Sequence, residues 1–160
     1  MINLAKTRFS ASQLRVLLNL WPPMRLGPGI RVDEIAPDFR YARTSLPMRF
    51  YNRNYVNAHF GGSLYAMVDP MYMLMLLNIL GPEFIVWDKA GHIEYRKPGK
   101  GTVTAEFRVE DALIASLQSL APNEKRLVDL TVDVKDEDGD VVAHVVKTEY
   151  IRRKPLSSKL

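Results

Sequence analysis

The stretch LYAMVDPMYMLMLLNIL, residues 64–80, decides the fold of this chain. Its apolar residues surround nearly the whole helix that they would form, and such a helix must be buried on most sides. The run is short for a membrane span and is interrupted by Asp69, Pro70 and Asn78, so we interpret it as a core helix. Gly81-Pro82 ends it sharply.

The residues before this helix predict one further helix and two strands. Ser12–Trp21 has a helical apolar period, with Ser12 as its cap and Pro22-Pro23 as its stop. Ile30–Ala36 and Tyr41–Tyr51 are predicted strands, the second because apolar and polar residues alternate along it.

The residues after the long helix predict an antiparallel sheet. Four segments have strand character: 84–97, 102–110, 127–135 and 141–152. A short helix, capped by Asp111, is expected up to Leu120, and Asp138-Gly139 marks a hairpin turn. An antiparallel sheet with one all-apolar helix must curl around that helix, which predicts an α+β fold. We expect a single domain over 1–160, with an N-terminal helix in 1–23, a core in 24–152 and a polar tail in 153–160.

Composition excludes several kinds of site. The 160 residues contain no cysteine, which removes disulfides, zinc ribbons and thiolate nucleophiles. The net charge of +4 favours an anionic partner. No aromatic–basic platform supports nucleic-acid binding, the aspartates of 129–140 do not have calcium-loop spacing, and no metal site is expected. No signal peptide is evident, and we expect a cytoplasmic protein.

One motif carries chemistry: Asn54, then Gly61-Gly62, then Asp69. Glycines at a helix start leave unpaired amide donors at the positive end of the helix dipole, which can polarise a carbonyl oxygen. A carboxylate two turns further along the helix could address the same ligand, and Asn54 could orient a water. Alternatively, Asp69 caps a helix that starts at Pro70, and Gly61-Gly62 forms a tight turn with positive φ.

This motif resembles that of the hotdog acyl-CoA thioesterases of the phenylacetic-acid-degradation type. The matching positions are Asn54, Gly61, Gly62 and Asp69, and residues 92–99 resemble the family strand that ends in an Arg-Pro-Gly turn. The resemblance covers roughly residues 27–152. The N-terminal helix and the motif His-Phe-Gly-Gly are similar to those of a hotdog branch of unknown function.

The resemblance implies a hotdog fold and the hydrolysis of an acyl-CoA or acyl-carrier thioester. Asp69 would be the general base or the nucleophile, and the amides near Gly61 and Gly62 would polarise the carbonyl. Coenzyme A would enter only as part of the substrate, and no other cofactor is expected. Two groups of residues would bind substrate: Phe60, Ser63, Met67 and Tyr72 near the acyl group, and Arg96, Lys97 and Lys100 near the carrier phosphates.

Two departures from the family pattern keep alternatives open. Phe60 occupies the histidine position of the family, and His59 lies one residue earlier, where it acts in catalysis or only in loop structure. Pro70 follows Asp69 directly and should bend or restart the helix. The alternatives to a thioesterase are a non-catalytic acyl- or lipid-binding protein and an acyl-chain dehydratase. The resemblance also implies a homodimer or a dimer of dimers.

Overall fold

A computed structural model describes residues 9–155. Its helices are α1 (Ala11–Leu20), α2 (Pro22–Arg25), α3 (Gly61–Ala66), α4 (Met71–Leu80) and α5 (Asp111–Gln118). Its strands are β1 (Arg31–Ile35), β2 (Tyr41–Pro47), β3 (Phe84–Tyr95), β4 (Thr102–Arg108), β5 (Lys125–Lys135) and β6 (Val141–Arg153). The strands form one antiparallel sheet in the order β1-β2-β4-β5-β6-β3, which wraps around α3 and α4. The predicted α+β hotdog fold is confirmed.

The expected core helix is present but divided, as the position of Pro70 predicted. α3 ends at Ala66 and α4 starts at Met71, with a turn between them. The amide of Met71 bonds the carbonyl of Val68, and the carbonyl of Met67 accepts instead from the Thr44 hydroxyl at 3.2 Å. The strand residue Thr44 therefore satisfies a backbone group at the break. Gly81, with φ of 78°, ends α4 where the sequence predicted.

The core lies between these helices and the concave face of the sheet. In β4 the predicted inward residues Val103, Ala105 and Phe107 are all buried. By length and hydropathy alone, residues 61–80 would also fit a membrane span, but half of the window is buried inside the protein. These residues form the inner layer of the fold.

The two edges of the sheet differ. At the β1 edge, the Asn19 amide of α1 donates to the carbonyl of Val32 at 2.8 Å and accepts from its backbone N–H at 2.9 Å. Helix α1 thus covers the backbone of β1. At the other edge, β3 pairs with β6 on one side only, and no strand among residues 9–155 pairs with its other side.

Several predicted boundaries were wrong. Ser10, not Ser12, caps α1, in a capping box with Gln13. β2 ends at Pro47, which has no N–H to donate, so Phe50 lies in an exposed turn. Asp111 does not cap α5, because it lies inside the first turn and pairs with Arg40.

The ends of the predicted core also need correction. Pro22-Pro23 stops α1 but also starts the unpredicted helix α2. β6 continues to Arg153, inside the predicted polar tail. Residues 156–160 of that tail and 1–8 of the N-terminal segment lie outside the described residues.

Candidate active site

Asp69 lies at the break between α3 and α4, and its side chain is 48% exposed. Its Oδ1 accepts a hydrogen bond from Nζ of Lys147 at 2.9 Å. It does not cap α4, whose N-cap is Pro70 and which has no side-chain cap. The capping interpretation of Asp69 is therefore wrong, and an ion pair explains how a carboxylate is kept in this apolar segment.

The partner of Asp69 is a fully buried lysine on β6. Nζ of Lys147 also lies 2.6 Å from Oδ1 of Asp88 and 3.3 Å from the hydroxyl of Tyr65. Its side chain is only 1% exposed. Burial lowers the pKa of Lys147, but the adjacent carboxylates of Asp88 and Asp69 outweigh it and hold that pKa above its usual value. Lys147 is therefore a fixed positive charge between two carboxylates.

Glu149 is the next inward residue on β6 and pairs across the strands with Asp88. Glu149 is fully buried, and neither of its carboxyl oxygens has a hydrogen-bond partner within residues 9–155. Burial first, and then the negative charge of Asp88, raise the pKa of Glu149 to about 8. Glu149 therefore keeps its proton to a higher pH than an ordinary glutamate does.

Four members of this cluster were not predicted from the sequence: Tyr65, Asp88, Lys147 and Glu149. A signal for the last two existed, because β6 alternates and places Ala143, Val145 and Ile151 on the buried face. Lys147 and Glu149 fall on the same face at the same period. Two charged residues on an otherwise apolar strand face are unusual, and this pattern is visible in the sequence alone.

The glycine motif forms the start of α3. Gly61 and Gly62 are the first two helical residues, and within residues 9–155 their amides donate to no acceptor. A Cβ at Gly61 would lie 2.8 Å from the hydroxyl oxygen of Tyr95, so a larger residue would require that exposed side chain of β3 to move. Neither glycine has positive φ, so the tight-turn interpretation is wrong.

Asp69 and the glycine amides lie at different positions along the same helical segment, so they are some distance apart. Gly62 and Asp69 are seven residues apart, across the end of α3 and the turn that follows it, which corresponds to about 10 Å along the axis at the rise of a helix. A groove of about 470 Å³ runs beside α3; its lining includes Tyr51, Phe60, Gly62 and Ser63 but not Asp69. The glycine end and the carboxylate can therefore approach different parts of one ligand.

The loop before α3 is held by Asn54 and His59. Oδ1 of Asn54 accepts from the amides of Val56 and Ala58, and its Nδ2 donates to the carbonyl of His59 at 3.3 Å. Nε2 of His59 lies 3.0 Å from the carbonyl of Gly101, and the ring is buried. Burial lowers the pKa of His59, which favours a neutral imidazole. Both side chains are engaged in loop structure.

The residues that were predicted to bind the acyl group differ in exposure to solvent: three are buried and one is exposed. Met67 and Tyr72 are buried in the core, and the Tyr72 hydroxyl donates to the carbonyl of Thr131 at 2.7 Å. Ser63 is also buried, while Phe60 is 60% exposed at the start of α3. Of these four side chains, Phe60 is therefore the one that is accessible from solvent.

The basic residues of the predicted phosphate site differ in whether they already pair with carboxylates. Lys97 lies 2.6 Å from carboxylate oxygens of both Asp136 and Asp140, which raise its pKa. Arg96 pairs with Glu94 at 2.5 Å. Lys100 is exposed and, among the described residues, has no ion pair.

Comparisons with known proteins agree with this fold. The model of the domain of unknown function DUF4442 matches residues 10–151. No curated protein sequence matches the chain. A Pseudomonas aeruginosa protein of unknown function, described as a probable thioesterase, has a TM-score of 0.79 at 22% identity, covering 92% of this chain and 98% of its own.

Two further solved structures are similar at lower identity. A thioesterase from Haemophilus influenzae has a TM-score of 0.65 at 15% identity, covering 97% of this chain and 98% of its own. The PaaI protein of the Escherichia coli phenylacetic acid degradation operon has a TM-score of 0.61 at 13% identity, covering 89% and 91%. The chain has the fold of these thioesterase-like hotdog proteins, and by the match over residues 10–151 it belongs to the DUF4442 family.

Proposed function

We propose that this protein hydrolyses an acyl thioester, with Asp69 as the general base. The observation that carries the proposal is the half-exposed carboxylate of Asp69, held by buried Lys147 in the middle of an apolar helix segment. The ion pair holds this carboxylate in place and leaves about half of it open to water and to a ligand. The solved structures of the same fold described as thioesterases support it.

The reaction places a water between Asp69 and the thioester carbon. Asp69 accepts a proton as the water oxygen attacks, the carbonyl oxygen becomes an oxyanion, and the free amides of Gly61 and Gly62 are its candidate donors. The carbon–sulfur bond then breaks, and the thiolate leaves and takes up the proton. The axial separation of about 10 Å suits a base that acts through water better than direct attack by Asp69.

Thiol release from a panel of acyl-CoA substrates tests this function. The panel should run from acetyl through medium and long chains to aromatic acyl groups, and Asp138→Asn, a change at an exposed hairpin position, is the matched control. We expect turnover of at least one substrate by the wild type and by the control. Absence of thiol release from every substrate would contradict the proposal.

A second function is favoured by the placement of His59. Its imidazole bonds the carbonyl of Gly101 and is buried, and Phe60 occupies the neighbouring position of the motif. A non-catalytic acyl-binding protein needs no imidazole at the site. Calorimetric binding of an acyl-CoA that is not hydrolysed would support this alternative.

We propose that the working form contains at least two copies, paired along β3. The β1 edge is covered by Asn19, whereas the β3 edge has no partner strand among residues 9–155. An open strand edge readily pairs with another chain. Light scattering at micromolar concentration is expected to give a dimer or tetramer, and a fully active monomer would contradict this.

We propose that Lys100 contacts the phosphates of the carrier. It is the exposed basic residue of the turn that is not committed to carboxylates, unlike Lys97. A surface charge contact is worth up to about 1 kcal/mol, so Lys100→Ala should raise KM for a CoA substrate at low salt by no more than about fivefold. Wild-type KM should rise with salt more steeply than that of the variant. Equal salt dependence in both proteins would remove this role.

A further inference from the structure

The cluster at Asp69 contains more negative groups than positive ones. Three carboxyl groups, from Asp69, Asp88 and Glu149, surround the single ammonium of Lys147. If all three were ionised, the cluster would hold two excess negative charges, and Lys147 and Glu149 are both fully buried. Such an arrangement is strongly unfavourable in a protein interior, so one carboxyl group must hold a proton.

The unpartnered atoms show where that proton belongs. Both carboxyl oxygens of Glu149 and Oδ1 of Asp88 are buried without a hydrogen-bond partner. Oδ1 of Asp88 is 2.6 Å from Nζ of Lys147, but the angle is not that of a hydrogen bond. A proton on Glu149, donated to Asp88 across the β3–β6 pair, supplies the missing bond.

We propose that Lys147 is the positioning residue of Asp69, and that one proton shared by Asp88 and Glu149 sets how firmly Lys147 holds it. The inference rests on the proposed role of Asp69 as base. With the proton in place, Lys147 divides its charge between Asp88 and Asp69. Without it, a second negative charge beside Asp88 draws Lys147 towards Asp88 and loosens its hydrogen bond to Asp69.

The surroundings of Glu149 support the assignment. The charged groups facing it are Asp88 from β3, Lys147 on its own strand and Asp69 from the helix break. β5 faces it with apolar Val128, and Arg126, two residues along β5, donates to the carbonyl of Ser116. Burial and Asp88 raise the pKa of Glu149 to about 8, so the proton is lost in the mildly alkaline range.

The test compares wild type, Glu149→Gln and the control Asp138→Asn over a range of pH. The glutamine keeps the neutral hydrogen-bonding form of Glu149 at every pH. We expect wild-type kcat to rise about threefold with a midpoint near pH 8, because Lys147 then holds the Asp69 carboxylate less firmly and leaves it free to accept the proton of water. The rise should be absent in Glu149→Gln and present in the control. An alkaline rise of equal size in Glu149→Gln would overturn the positioning role.

Thermal unfolding provides a readout that does not depend on activity. Because the folded pKa of Glu149 lies above the ordinary value of 4.5, wild-type stability should fall as pH rises from about 4.5 to about 8 and then level off. The Tm of Glu149→Gln should therefore exceed that of wild type by about 5 °C or more at pH 8, and match it at acid pH. No difference at pH 8 would overturn the shared proton even if the enzyme is active.

Carbon-13 NMR of the wild-type glutamate carboxyl groups covers the case in which Glu149→Gln does not fold. One glutamate carboxyl should titrate near pH 8, and titration of every glutamate in the ordinary range would overturn the inference. If wild type hydrolyses no thioester but this titration and the Tm difference are observed, the proposed function fails while the shared proton stands.

Discussion

Asp69→Asn is expected to lower kcat for thioester hydrolysis by about a hundredfold or more, because it removes the carboxylate that accepts the proton of water. The substitution keeps size and an oxygen that can accept from Nζ of Lys147. Since Asp69 does not cap α4 and is half exposed, the Tm should change little. Asp69→Ala should be equally inactive.

Steady-state kinetics and thermal unfolding of the same preparations check this result. Asp138→Asn makes the same chemical change at an exposed hairpin position and should retain wild-type kcat. Near-normal turnover by Asp69→Asn would remove Asp69 from the mechanism. A large loss of Tm in Asp69→Asn would instead assign the carboxylate to structure.

Lys147→Met is expected to lower the free energy of unfolding by about 3–5 kcal/mol at neutral pH, the range found when one partner of a buried ion pair is removed. The methionine matches much of the lysine stem but leaves Asp88 beside Glu149 with no positive charge. The loss should shrink at acid pH, because protonation then neutralises the remaining carboxylates.

Urea unfolding measures this loss, with Lys135→Met as the matched control on an exposed position of β5. The control should change stability by no more than about 0.5 kcal/mol. A second variant that also carries Asp88→Leu and Glu149→Leu should recover much of the stability, since apolar replacement of these two carboxyl groups removes the uncompensated charge beside position 147. A loss below about 1 kcal/mol in Lys147→Met would mean that the lysine is not the counter-charge of the cluster.

The parts of the fold set by local periodicity could be predicted from the sequence. The apolar segment 64–80, the alternation of Val103, Ala105 and Phe107, and the break at Pro70 each depend on residues that are neighbours in the chain. The first residue of a helix was harder to predict. Ser10 and Ser12 are equally good caps by residue type, and only the capping box with Gln13 distinguishes them.

The residues of the candidate site could be predicted only in part, for a different reason. Asp69 was identified by its spacing from the glycines, but its partner lies 78 positions away in the chain. The inward row of β6 displays Lys147 and Glu149 as anomalies, yet their meaning requires the register that places Asp88 opposite Glu149. Because β3 and β6 are far apart in the chain and no turn joins them, turn geometry does not set their register, and it is defined only in the tertiary structure.

The coverage of β1 by Asn19 has a consequence for how large an assembly can become. A sheet with two open edges could add copies without limit, as fibres do. In this chain the Asn19 side chain occupies the backbone N–H and C=O of Val32, so these two groups in the middle of the edge are not available to a further strand. The proposed pairing of β3 with a second β3 would use the same edge on both copies and would close after one step. If the proposed pairing holds, the contacts of α1 with β1, Asn19 foremost, would favour a finite oligomer over an open-ended polymer of sheets.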